Sequence, residues 1–171
     1  MSRLSPDKRM LEYALNGACP DIFAFSTTRH GGISTDTYAS LNCTPYTGDS
    51  AENVCHNQEL LLQTLPQRPQ KLIIPWQTHG TASLVIDTDY LQADPQTRHE
   101  RLQGIDALIT REPGICLCIS TADCIPILLY DHRHRVVAAV HAGWRGTVNR
   151  IALRTLEWMQ TLYGTEGKDV H

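Results

Sequence analysis

Two short apolar runs split by a charged turn constrain this chain more than any other feature. The runs at residues 125–130 and 136–140 have strand length, and the turn at residues 131–135 lies between them. That pattern predicts two buried strands joined as a hairpin. A hairpin gathers the polar residues at its open end. Here these are Thr121-Ala122-Asp123-Cys124 before the first run, and His141 followed by Gly143-Trp144-Arg145-Gly146 after the second. The expected site is therefore assembled from residues far apart in sequence.

The remaining elements follow in order. Residues 22–25 read as a strand. Thr27-Thr28-Arg29-His30-Gly31-Gly32 then forms a polar loop, equally consistent with an anion contact and with a solvated turn. Asp49 reads as an N-cap and Glu52 as its capping-box partner, opening a helix over about residues 50–65. Val54, Leu61, Leu62 and Leu65 share one helix face, and Asn57 lies near it, where burial would demand a partner. Strands are predicted at 71–76 and 83–86, around Gln77-Thr78-His79-Gly80, and residues 87–103 read as a surface loop. Further strands are predicted at 106–110 and 115–120, around a Glu112-Pro113-Gly114 turn. Cys116 and Cys118 share a strand face, which suits small buried hydrophobes better than a metal pair. A helix over about 147–163 carries the stripe Val148, Ile151, Ala152, Leu156, Met159 and Leu162, with Gly164 as its C′ residue. His132 and His134 form an H-x-H pair in an exposed turn.

A chain of 171 residues fits one domain with a core of its own. Its formal net charge of -3 gives no electrostatic case for nucleic acid or an anionic membrane. No apolar run reaches membrane-spanning length. The first ten residues lack the apolar core of a signal peptide. A cytoplasmic location follows as the expectation, with the six cysteines reduced rather than bridged.

Three groups sit just past predicted strands and beside a glycine or a turn: His79, Cys124 and His141. Two imidazoles and a thiol form a set that zinc favours, and three protein ligands leave a fourth position open, as in catalytic sites. The same residues also permit a cysteine–histidine nucleophile–base pair, or no joint role at all. The turn at 143–146 joins a strand to a helix start. Its backbone N–H groups and the Arg145 fork can receive an anion, although it is not a Walker loop. The alternative is a helix start packed under Trp144. Asp123 is open to three roles: hydrogen-bond partner of a ligand, proton carrier, or turn former.

Taken together, these segments resemble the laccase-domain family, historically labelled multicopper polyphenol oxidase and now regarded as purine nucleoside phosphorylases. The matching stretches are Thr27-Thr28-Arg29 with Gly31-Gly32, Ser40-Leu41-Asn42, Gly48-Asp49, Asn57, Gln77-Thr78-His79-Gly80, Asp106-Ala107-Leu108, Thr121-Ala122-Asp123-Cys124 and residues 141–146. The resemblance implies an α/β (α+β) fold, with a two-sheet mixed β core flanked by helices, related to cysteine hydrolases. It implies zinc held by His79, Cys124 and His141, which are then also the expected catalytic residues; Arg29, Asn42, Asp123 and Arg145 are the expected substrate or phosphate contacts. It implies phosphorolysis of adenosine, inosine, guanosine and methylthioadenosine, and deamination of adenosine. Purine nucleosides and phosphate are thus the expected partners. Thr78 stands where the family often has an apolar residue. Family members continue past this point into a segment with a Gly-Pro-Cys motif, so a single domain over 1–171, truncated at its C-terminus, is the expectation. Two other chemistries compete. A copper polyphenol oxidase would need many histidine ligands, whereas the eight here are scattered with one H-x-H. A Cys–His hydrolase acting on peptidoglycan precursors would use Cys124 as nucleophile.

Overall fold

The computed structural model describes residues 2–171, which divide between Arg68 and Pro69 into two units. The first holds a three-stranded antiparallel sheet of β1 (Arg3–Leu4), β2 (Met10–Glu12) and β3 (Phe25–Thr27), in that order. A short helix, α1 (Leu15–Ala18), lies between β2 and β3. The strand expected at 22–25 begins at Phe25 instead. The Asn16 side chain takes both backbone groups of Ala24, accepting from its N–H at 2.7 Å and donating to its carbonyl at 3.1 Å. Residues just before β3 are thereby committed to a side-chain partner.

Helix α2 (Ala51–Thr64) completes the first unit and buries Val54, Asn57 and Leu61. Its N-cap is Ser50 and not Asp49: the Ser50 hydroxyl accepts from the Asn53 N–H. Asp49 instead receives Ser34 Oγ at 2.6 Å and Asn42 Nδ2 at 3.0 Å, so no Asp49–Glu52 capping box forms. Asn57 is fully buried and fully occupied. Its amide donates to Ser34 Oγ, Ser40 O and Asn42 O, and its Oδ1 accepts from Ile33 N–H. Gly32 has to be glycine at this crossing, since a Cβ would sit 2.2 Å from Ser40 O and 2.6 Å from Asn57 Oδ1.

The second unit is built on a mixed four-stranded sheet. It contains β5 (Ser83–Val85), β6 (Ala107–Thr110), β8 (Ile125–Asp131) and β9 (Val136–Ala142), in the order β5-β6-β9-β8. β5 and β6 are parallel, and the other pairs are antiparallel. β8 and β9 form the expected hairpin, in a register that places Ile125 opposite Ala142 and Asp131 opposite Val136. A separate parallel pair joins β4 (Lys71–Ile73) to β7 (Ile115–Leu117). The described residues thus form a mixed α/β structure with three sheets rather than two. The turn around Gly114 carries the chain from one sheet into another. β4 and β7 are shorter than their apolar runs because the residues that follow them are claimed by loop contacts. Trp76 exchanges backbone hydrogen bonds with Leu102 and Gly104, and Ser120 bonds to Gln77.

The loop expected at 87–103 is two helices, α3 (Thr88–Gln92) and α4 (Pro95–Arg101). Asp87 and Asp94 cap them, and Pro95 occupies the first turn of α4, where its missing N–H costs nothing. Their polar outer faces mask a buried Tyr90, which packs with Ile73, Ile86, Ile105 and Leu108 on one side of the sheet.

The single helix expected over 147–163 is also two. α5 (Trp144–Val148) and α6 (Ile151–Tyr163) are separated where Arg150 takes a left-handed conformation, φ 60°. Asn149 closes α5 by donating its side-chain amide to Arg145 O at 2.8 Å. Val148 and Leu162, both expected on the stripe, are exposed, whereas α6 buries Ile151, Thr155 and Met159. Ile151 packs on Ala107, Val140 and Ala142, and Met159 packs on Ile109, Val136 and Ala138. Each such side chain contributes about 1.5–3 kcal/mol by leaving water. Gly164 ends α6 at φ 75°, as expected of a C-cap glycine. Among the described residues no helix is long and apolar enough to cross a membrane.

Candidate metal centre

β9 carries His141 near its end, 3% exposed. With Ile125 paired to Ala142, antiparallel register carries Cys124, just before β8, alongside Gly143, just after β9. Cys124 is also steered from the other side. The Gln77 side chain donates to Ser120 O at 2.8 Å and accepts Ser120 N–H at 2.7 Å, tying the stretch before Cys124 to the stretch before His79. His79 follows two residues after Gln77, in a left-handed conformation with φ 62°. For a residue other than glycine that backbone costs about 1–3 kcal/mol and persists only where its surroundings over-determine it.

The restraint is Asp106, at the head of β6 and fully buried. Its carboxylate accepts the N–H groups of Thr78 (3.2 Å), His79 (2.9 Å) and Gly80 (2.7 Å). Its Oδ1 also lies 2.8 Å from Nδ1 of His141. One acid therefore serves both histidines, one through its backbone and one through its ring.

His79, Cys124 and His141 come together as the sequence predicts: one ligand atom from each lies within 4.8 Å of the others. The two imidazoles meet edge to face, with centroids 4.8 Å apart. His79 is exposed at the cluster, Cys124 is half-buried and His141 is buried. Gly143 is the floor of this cluster. A Cβ there would lie 2.8 Å from His79 Cδ2, 3.4 Å from Cys124 Sγ and 3.5 Å from His141 Cε1. Two imidazoles, one thiol, a carboxylate behind one imidazole and a glycine floor fit a metal ion.

Other candidate residues are placed as follows. Asp123 is exposed and adjacent to Cys124. Arg145 is exposed on α5, with its guanidinium 5.1 Å from the centroid of Trp144. Trp144 itself is 70% exposed, so the helix start is not packed beneath it. Arg29 and Asn42 belong to the first unit. Arg29 donates Nε and Nη2 to Ala39 O, and Asn42 holds Thr47 Oγ1 and Asp49. The H-x-H pair is engaged elsewhere, with His134 Nδ1 on Asp131 in its own turn and His132 Nδ1 on Asp169 O near the end of the chain. Cys116 and Cys118 are half-buried with sulfurs 3.8 Å apart, and a hydrogen bond from Cys118 lowers the Cys116 thiol pKa. Among the described residues neither thiol joins a three-ligand group.

A family model described as multi-copper polyphenol oxidoreductase laccase matches residues 23–171. The chain belongs to that family. It is 55% identical over 170 residues to a protein of Bacteroides thetaiotaomicron named purine nucleoside phosphorylase, covering 99% of this chain and 63% of that protein. It is 41% identical over 136 residues to adenosine deaminase RL5 from an unknown prokaryotic organism, covering 80% of this chain and 52% of that protein. The crystal structure of the hypothetical protein YfiH of Bacillus licheniformis superposes with a TM-score of 0.87 at 26% identity, over 99% of this chain and 62% of that one. This family member thus spans between about half and three fifths of these relatives' length.

Proposed function

We propose that the chain carries the site of a zinc-dependent purine nucleoside phosphorylase that also deaminates adenosine, working in the cytoplasm. The observation that carries this reading is the convergence of His79, Cys124 and His141, in a chain whose relatives bear the names of those two activities. The substrates are adenosine, inosine, guanosine and methylthioadenosine, with phosphate as the co-substrate. His79, Cys124 and His141 would hold the zinc, which would supply Lewis-acid chemistry and activate a water.

The chain's own residues hold and orient. Arg145, solvent-facing two residues past Gly143, presents a fork of donors to a phosphate near the cluster. Arg29 and Asn42 are further candidates for binding substrate or phosphate. In phosphorolysis, phosphate oxygen bonds to the anomeric carbon as the purine nitrogen leaves. Positive charge builds on the ribose, and holding the phosphate in line accounts for much of the lowered barrier. In deamination, water adds to C6 of adenine and ammonia departs. Asp123, exposed and next to Cys124 in sequence, is the candidate to carry the proton.

A copper cluster is disfavoured because the His–Cys–His set is the one group of its kind among the described residues. Kinship with cysteine hydrolases would make Cys124 a nucleophile instead of a ligand. Purine release from inosine with and without phosphate separates these readings. Phosphate-dependent release that yields ribose 1-phosphate supports the proposal, and equal release without phosphate contradicts it.

A further inference from the structure

The buried Asp106 carboxylate meets hydrogen-bond donors on every side. Oδ2 receives Thr78 and Gly80 N–H, while Oδ1 receives His79 N–H and faces His141 Nδ1. Its own backbone is pinned by Asp106 N–H to Ala82 O at 2.9 Å and by His141 N–H to Asp106 O at 2.8 Å. We propose that Asp106 is the positioning residue that sets the metal centre before any ion arrives. It fixes His141 as the Nδ1–H tautomer, leaving Nε2 as the ligand atom, and it locks the left-handed turn that presents His79. The proposal rests on the metal reading given above.

The chemistry follows from the partners. A carboxylate has no hydrogen to give, so Nδ1 of His141 has to supply the one between them. A neutral imidazole with hydrogen on Nδ1 carries its lone pair on Nε2, the atom then free for a metal. Three successive N–H groups at residues 78–80 make a nest for the same anion, which holds a backbone conformation that His79 would otherwise leave. An amide cannot replace the acid. The NH2 group of an asparagine would point either at the N–H groups of Thr78 and Gly80 or at Nδ1 of His141. The first choice opens the His79 turn. The second moves the ring hydrogen to Nε2 and blocks the ligand atom.

The direct test needs no substitution. In the metal-free chain labelled with 15N-histidine, two-bond nitrogen–proton correlation reports the tautomer of His141. The expected result is a single Nδ1–H form; an Nε2–H form or an average of both overturns the proposal. The second test is zinc affinity by chelator competition in Asp106→Asn. A 10–100-fold weakening is expected, together with loss of the pure Nδ1–H tautomer. Zinc bound as tightly as by the unsubstituted chain overturns the proposal. Should the variant not fold, the tautomer in the unsubstituted chain decides alone. Failure of zinc to bind the unsubstituted chain would count against the metal reading, while the tautomer would still decide whether Asp106 orients His141.

Discussion

Asn57 and Asp106 are both completely buried, and each ties together segments distant in sequence. They differ by one group, an amide against a carboxylate, and the difference follows from what surrounds each. Around Asn57 lie two backbone carbonyls, a hydroxyl and an N–H, so a residue that both donates and accepts is required. Around Asp106 lie three N–H groups, the donating Thr78 hydroxyl and an imidazole, so an acceptor alone fits. The amide closes its loops and leaves nothing over. The carboxylate closes its turn and also orients a ring whose other nitrogen faces the cluster. A buried polar hub can thus be purely structural or can serve a site, and the donor-to-acceptor balance around it tells which.

Exchanging the two chemistries sharpens this contrast most. Asn57→Asp would face Ser40 O and Asn42 O with a group that repels them, or that must bind a proton to avoid doing so. We expect a loss of about 3–5 kcal/mol in urea unfolding. A loss below about 1 kcal/mol would mean that Asn57 is not the hub described.

Smaller, and confined to the metal side, is Gln77→Ala. It removes both side-chain bonds to Ser120 and so frees the arm that carries Cys124. We expect roughly tenfold weaker zinc binding with the His141 tautomer unchanged, since Asp106 is untouched. A changed tautomer would show that the two arms are not held separately.

The smallest effect is a titration. Asn57 has no proton to exchange in the ordinary range, but its partner Ser34 also binds Asp49. The Ser34 hydroxyl, and then Asn42, hold the Asp49 carboxyl below its ordinary value of 3.8. A depressed carboxylate contributes stability above its unfolded pKa, and that contribution is lost as pH falls through the folded one. Carboxyl NMR should place Asp49 below 3.8, and Ser34→Ala should raise it. A midpoint unmoved by the substitution would remove Ser34 as the cause.

How much of this was legible beforehand differs by region. The hairpin was, because its two apolar runs have no other way to bury themselves, and register then delivers Cys124 and His141 to one end. His79 was legible as a histidine beside glycine. Asp106 was missed as part of the site. A charged residue at the head of four buried positions, Ala107 to Thr110, was the available signal, since such an acid has to be paired. The break at Arg150 left little signal, because arginine is a good helix former; Asn149 just before it, which closes α5, was the one local hint. Residues 87–103 misled through their polarity: the Asp-Pro at 94–95 was a helix start, but α4 buries no residue and α3 buries only Tyr90, so neither short helix shows an apolar stripe.

The central claim is that Cys124 shares a metal with two histidines, and cobalt substitution tests it most directly. A thiolate bound to cobalt(II) gives a near-ultraviolet charge-transfer band, and tetrahedral geometry gives intense visible bands. Both should appear in the unsubstituted chain, persist in Cys116→Ser and Cys118→Ser, and vanish in Cys124→Ser. A charge-transfer band that survives Cys124→Ser and is lost with Cys116 or Cys118 would contradict the account.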